Sequence, residues 1–150
     1  MKKMTLLLAL VFSLSPSFAV TAMHGHASVF TVQTPNNFAC YPLDENGEAA
    51  PIPYSCTGSA TVIQITTNFT SFTAMLSRPV LGSHRIAIQA EDFTTGNNIG
   101  NACIITSGQE ACSVSFSSSI SAGDVVAVKI WDDLTAADSY NIEKINWVIQ

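Results

Sequence analysis

Positive charge is scarce in this 150-residue chain: six Lys and Arg stand against eleven Asp and Glu, for a formal net charge of −5. Two of the six are Lys2 and Lys3, and the others, Arg78, Arg85, Lys129 and Lys144, are scattered. Nucleic-acid binding needs a basic patch that displaces counterions from phosphate. None is present, so nucleic acid is excluded as a partner. Long apolar runs are also missing. Leu6–Leu14 is the longest, and it falls short of the ~20 residues that cross a bilayer, so no membrane span is expected. Helical periodicity is absent as well. After the first twenty residues no apolar stripe at helical spacing lasts more than two turns, which removes helical bundles and parallel α/β folds, whose crossovers need a dozen or more residues. Neither cysteine spacing is C-x-x-C, so a catalytic dithiol or zinc ribbon has no support.

The residues that are present describe an exported β protein. A basic start, the apolar run and the breakers Ser15, Pro16 and Ser17 read as a bacterial-type signal peptide over residues 1–19, with Ser17-Phe18-Ala19 as the cleavage site and Ala22 as an alternative. Residues 20–27 are expected to be a flexible start and 28–150 a single domain, exported to the periplasm or beyond. Four cysteines in an exported chain predict disulfides. In "CIITSGQEAC" a two-residue turn at Ser107-Gly108 would pair Thr106 with Gln109 and bring Cys103 opposite Cys112 at a non-hydrogen-bonded site of a hairpin ladder, where α-carbons are closest. Cys40 and Cys56 are left to close the loop "YPLDENGEAAPIPYS".

Alternation with a period of two recurs through the domain. "FTAML" aligns Phe72, Ala74 and Leu76, and Pro79 ends that ladder because it lacks the amide donor. "HRIAIQAE" turns Ile86, Ile88 and Ala90 inward. "CSVSFS" alternates Cys112, Val114 and Phe116 with serines, "DVVAVKIW" aligns Val126, Val128 and Ile130, and "IEKINWVI" aligns Ile145, Trp147 and Ile149. About eight short strands divided by turn signals predict an all-β antiparallel sandwich or jelly roll.

Three stretches also carry a resemblance. "FTAMLSRPVLGSHRIAIQAEDFTTG", the Cys103–Cys112 segment and "SISAGDVVAVKIW", with its GDxVxVxI form, are similar to bacterial C1q/TNF-like jelly-roll domains over residues 69–131. That resemblance implies a sandwich, no catalytic residues, and action by binding or by self-assembly into a homo-oligomer such as a trimer. The chain departs from the animal domains in its end, "KINWVIQ", which lacks their aromatic-Gly-aliphatic finish, and in having no collagen-like segment.

Four groups are candidates for chemistry. Asp124, Asp132, Asp133 and Asp138 form the densest acidic group, and calcium takes six to eight oxygens from such loops, although the spacing fits no known calcium loop and hydrated strand ends explain it as well. His24 and His26 in "MHGHA", beside Met23, are ligand types that copper or zinc accepts. His84 could join Ser83 and Asp92 in a hydrolase triad, but no G-x-S-x-G elbow accompanies it. Finally, if Val126, Val128 and Ile130 face the core, then Val125, Ala127 and Trp131 face out, and Ile142 and Val148 do so on the last strand. Such a patch is covered by the protein itself, or is a subunit interface, or is a carbohydrate or surface-adhesion platform on Trp131. The expected function is therefore binding or self-assembly without an enzymatic step or a cofactor.

Overall fold

A computed structural model of the chain describes residues 22–32, 38–42, 61–64, 66–133 and 139–150. Leu6–Leu14 and Ala19 lie outside them, and no helix among the described residues is long and apolar enough to cross a membrane. The strands are β1 (Met23–Val32), β2 (Ala39–Pro42), β3 (Thr61–Val62), β4 (Thr67–Leu76), β5 (Ile86–Asp92), β6 (Asn97–Ile105), β7 (Ala111–Ile120), β8 (Val125–Asp132) and β9 (Tyr140–Ile149). They build two antiparallel sheets, one ordered β1-β9-β4-β7 and the other β2-β8-β5-β6 with β3 also on β8. Among consecutive strands only β5 and β6 pair with each other. Apart from β2 and β3, which both pair with β8, the chain otherwise passes from sheet to sheet, which is the winding of a jelly roll.

The period-two pattern sets what lies between the sheets. Phe72, Ala74 and Leu76 from β4 and Ile145, Trp147 and Ile149 from β9 meet Ile86, Ile88 and Ala90 from β5 and Val126, Val128 and Ile130 from β8, all buried. Phe30, Tyr41 and Trp147 form an aromatic stack across the β1 side, with ring centroids 5.1 and 5.6 Å apart. Gly25, opposite Trp147 on β1, makes room for it. A Cβ at position 25 would lie 2.7 Å from the indole.

The N-terminal segment corrects one expectation. From Met23 onward it is strand rather than flexible chain, because β1 pairs with β9 from Met23↔Ile149 to Val32↔Tyr140. The two strands also change phase together. Ser28 and Val29 both face out beside Glu143 and Lys144, after which Phe30 and Ile142 return to the core. Val29 takes a φ of 50° at this switch, a left-handed conformation that disfavours β-branched residues. Ile142 is consequently buried at 2% exposure, not outward as single-phase alternation predicts.

A second correction concerns the cysteines. Cys103 and Cys112 are disulfide-bonded with α-carbons 5.7 Å apart, but no hairpin ladder carries them. β6 belongs to the five-stranded sheet and β7 to the four-stranded one, so the bond joins edge strands of opposite sheets. The expected turn survives in part, with Gln109 N donating to Thr106 O at 2.9 Å and Gly108 at φ 81°. Instead of pairing onward, the turn holds the β4–β5 loop. Val80 N donates to Gln109 O and Gly108 N to Val80 O, both at 2.8 Å, and Val80 plugs the interior. Cys40 is also disulfide-bonded, while Cys56 lies outside the described residues.

Farther along the same open edge, Phe116 of β7 covers Gly100 of β6. Both edge strands have register irregularities here, in β7 where it meets Phe69–Ser71 of β4 and in β6 where it meets Ile88–Ala90 of β5. Gly100 sits at φ 71°, and an added Cβ would fall 2.4 Å from the Phe116 ring. Gly100→Ala therefore meets both backbone strain and overpacking. We expect it to lower the unfolding free energy by about 2–4 kcal/mol, and a loss below ~0.5 kcal/mol in urea denaturation would show that Phe116 does not hold this edge.

The Tyr41 hydroxyl is buried without a hydrogen-bond partner among the described residues, and burial pushes its phenol above the ordinary value of 10.0. Linkage gives the sign of the effect. The folded state favours the neutral phenol, so this contribution is complete below pH 10 and is lost as pH rises through the raised value. Tyr41→Phe should remove that alkaline component, and at pH 7 it should be neutral or stabilising by up to about 1 kcal/mol, because no hydrogen bond is given up. A clear loss of stability at pH 7 would reveal a partner for the hydroxyl.

Candidate functional site

Register places the polar residues at two ends of the sandwich. Pairing of β5 with β8 sets Ile86 against Asp132 and Asp92 against Val126. Asp92 and Asp124 thus stand at one end, with His84, Arg85, Asp132 and Asp133 at the other.

The second end is a set of paired charges. His84 Nδ1 donates to Asp132 Oδ2 at 2.5 Å, and the backbone N of Arg85 donates to Asp132 Oδ1 at 3.2 Å. The Asp132 side chain is 1% exposed, and a buried carboxylate needs such donors. The His84 ring packs on Tyr140 with centroids 4.9 Å apart. Arg85 pairs with Asp133 at 3.0 Å and Arg78 with Glu143 at 2.8 Å.

This arrangement parts two candidate groups. The length of β8 separates Asp124 from Asp132 and Asp133. Asp138 lies outside the described residues. The triad partner expected from sequence, Asp92, sits at the far end of β5 from His84 and caps its own turn, accepting from Thr94 N at 2.9 Å and Thr95 Oγ1 at 2.6 Å. Asp132 takes its place beside His84, a pairing across 48 residues that no local spacing announces. Among the described residues no serine hydroxyl hydrogen-bonds to His84.

His24 and His26 lie on the outward side of β1, opposite Val148 and Asn146, whereas Met23 packs against the core. The thioether is therefore turned away from the imidazoles. Among the described residues no group of three or more His, Cys, Asp or Glu is placed to hold a metal.

The outward apolar residues of β8 have several fates. Ala127 is fully buried in a second small cluster with Cys40, Phe38 and Phe93, on the outer face of the five-stranded sheet. Val125, Trp131 and, on the other sheet, Val148 are half-buried. On the same face as Ala127, Lys129 Nζ lies 4.4 Å from the Phe38 ring centroid and 6.0 Å from that of Trp131, and pairs with Glu91 at 3.3 Å. Gln89 beside it donates to Gly100 O at 3.0 Å. Trp131, Lys129, Glu91 and Phe38 therefore form one amphipathic patch, of which sequence reasoning finds only Trp131.

The first end holds a cleft of about 210 Å³ between β6 and β7, bordered by the β5–β6 and β7–β8 turns. Sequence reading does not single it out, because its lining comes from two separate stretches, 92–99 and 118–124, on strands of opposite sheets.

No protein-family model matches the chain, and no curated protein does. It is similar in structure to murine APRIL (13% identity, TM-score 0.42, covering 86% of this chain and 98% of that one) and to the Eiger TNF from S. frugiperda (11%, 0.39, 86% and 90%). It is also similar to a family 35 carbohydrate binding module from Clostridium thermocellum (8%, 0.37, 83% and 96%). The jelly-roll assignment itself rests on the strand order.

The His84–Asp132 bond ties the β4–β5 loop to the end of β8. Removing the imidazole leaves a buried carboxylate short of a donor, so His84→Ala should lower the unfolding free energy by about 1.5–3 kcal/mol. Chemical denaturation followed by circular dichroism measures this, and no change would mean that the contact carries no stability.

Proposed function

We propose that this chain is an exported, disulfide-stabilised binding module that performs no chemistry, and that its ligand platform is the outer face of the five-stranded sheet. The observation that carries this reading is the patch of Trp131, Lys129, Glu91 and Phe38. An indole offers an apolar face and a polar edge, a combination suited to stacking on the C–H face of a sugar ring. The neighbouring ion pair offers donors and acceptors to its hydroxyls. A glycan or a glycan-coated surface is the ligand class that this chemistry fits. Export is supported by the basic start, apolar run and small-residue cleavage positions of residues 1–22, and by cysteines that are oxidised.

The large open apolar face that would favour self-assembly is reduced in the folded chain, since Ala127 and Ile142 are both internal. The outer side of the four-stranded sheet is lined instead by Thr73, Ser113, Ser115 and Asn146, with Met75 and Val29 as isolated apolar residues. A binding role is therefore preferred to a trimer.

Titration of the mature protein with a panel of oligosaccharides, read by Trp fluorescence, tests the platform, because buried Trp147 supplies a constant background. At least one neutral or acidic glycan should change the emission, and Trp131→Ala should weaken that binding at least tenfold while the circular dichroism spectrum is kept. Silence across the panel, or a stable trimer in sedimentation that hides Trp131, would overturn the reading.

A further inference from the structure

The cleft at the Asp92–Asp124 end is separate from the Trp131 platform and owes nothing to it. Its backbone is held in place before any ligand arrives. Asp92 fixes the β5–β6 turn through Thr94 and Thr95, and Gly96 N donates to Asp92 O at 2.8 Å. Asp124 Oδ2 accepts from Ser121 N at 2.9 Å and fixes the β7–β8 turn. Thr94 Oγ1 accepts from Val125 N at 2.8 Å and ties the two turns together. The residues between β3 and β4 close the same end. Ile63 N donates to Asp124 O and Gly123 N to Ile63 O, both at 2.8 Å, and Ala122 N donates to Thr66 Oγ1 at 3.2 Å.

Against that fixed frame, Asn97, Asn98, Ser118, Ser119 and Ser121 line the cleft, and their side chains make no hydrogen bond within the described protein. Register turns Asn97 and Ser118 to the same side as buried Asp92 and Phe69, and Asn98 and Ser119 to the outer faces. The Asn97 amide and the Ser118 hydroxyl are thus on the interior side of the cleft, each able both to donate and to accept. Buried Ile99 and Ile120 add an apolar element to the lining. The volume decides the size of what fits. Sites for drug-sized ligands run to roughly 300–1,000 Å³, so about 210 Å³ accepts a single small ring. Charge decides the sign. The lining includes two carboxylates, Asp92 and Asp124, and no Lys or Arg, an arrangement that repels anions.

We infer that this cleft is a binding site for one polyhydroxylated ring, uncharged or carrying an amine, such as a neutral hexose or an amino sugar, and that it excludes acidic sugars. The β6–β7 edge makes the space. The disulfide and the Phe116–Gly100 contact close that edge at one end and in the middle, and at Asn97–Asn98 and Ser118–Ser121 the sheets remain parted.

Titrating the ¹⁵N-labelled mature protein with glucose, glucosamine and glucuronate, and following backbone amide resonances, tests this directly. Glucose or glucosamine should shift the amides of Asn97, Asn98 and Ser118–Ser121, and glucuronate should bind at least fivefold more weakly. The pair Asn97→Ala and Ser118→Ala removes side chains that make no hydrogen bond within the described protein and should weaken the shifts at least fivefold with the rest of the spectrum retained. Trp131→Ala should leave them unchanged, which separates failure here from failure of the platform on the sheet face. The inference is overturned if none of the three sugars moves these amides, if glucuronate binds as tightly as the others, or if the double variant binds like the parent.

Discussion

A two-layer sandwich has to close its sides, and the β6–β7 side is where this chain uses its least common devices. β6 and β7 are the terminal strands of opposite sheets, so their outer backbone groups have no ladder partner there. An unpaired strand edge invites association with other chains. A covalent bond between Cys103 and Cys112 fixes the distance between the sheets near the Ser107-Gly108 turn. Phe116 then folds over Gly100, at a level where both edge strands depart from regular register. Most of the core depends on keeping the two layers in this relation. Val80 can plug the interior because the turn beyond the disulfide offers Gln109 O and the Gly108 amide to it.

Much of that architecture is legible from alternation alone. Inward residues on β4, β5, β8 and β9 can be assigned because their large apolar side chains alternate, and period two is a physical consequence of the pleat, although Ala87 and Ala127 are buried on the other face as well. The same rule misreads Ile142, since it carries one phase through a strand that changes phase at Glu143–Lys144, and the cause of that change lies on a different strand, at Val29. The cysteine pairing is legible too, whereas its topology is not. A ten-residue span returns Cys112 to Cys103 whether the chain makes a hairpin or crosses from one sheet to the other, and local sequence has no term that separates these outcomes. "MHGHA" reads as a loose terminus because it follows directly on the expected cleavage site, and chain ends are disordered unless tied down. Its order comes from β9, more than a hundred residues away, and from an indole that needs the space Gly25 leaves.

Polar sites are less legible for a related reason. Each cleft side chain is an ordinary turn or strand residue in its own neighbourhood, and only the meeting of the 92–99 and 118–124 stretches gives the set a shape. Asp132 shows the opposite failure. Next to Asp133 it looks like one more hydrated strand end, yet strand parity sends it inward while its neighbour stays at the surface with Arg85. Burial then makes His84 a structural necessity, and the imidazole that sequence offers as a triad member is used up in holding a loop.

The contrast between the two ends of the sandwich bears on where function resides. At the Asp132 end the ionisable side chains are paired with one another: His84 hydrogen-bonds to Asp132, Arg85 pairs with Asp133 and Arg78 with Glu143. At the Asp92 end the carboxylates serve the backbone of two turns, and the amides and hydroxyls around them have no protein partner among the described residues. Matched groups stabilise a fold and have little left to offer a ligand. Unmatched groups on a rigid frame are hydrated in the free protein, and a ligand that replaces that water with its own hydroxyls loses little in hydrogen bonding while ordering almost nothing new. Preorganised polarity of this kind is what recognition of a polar ligand requires.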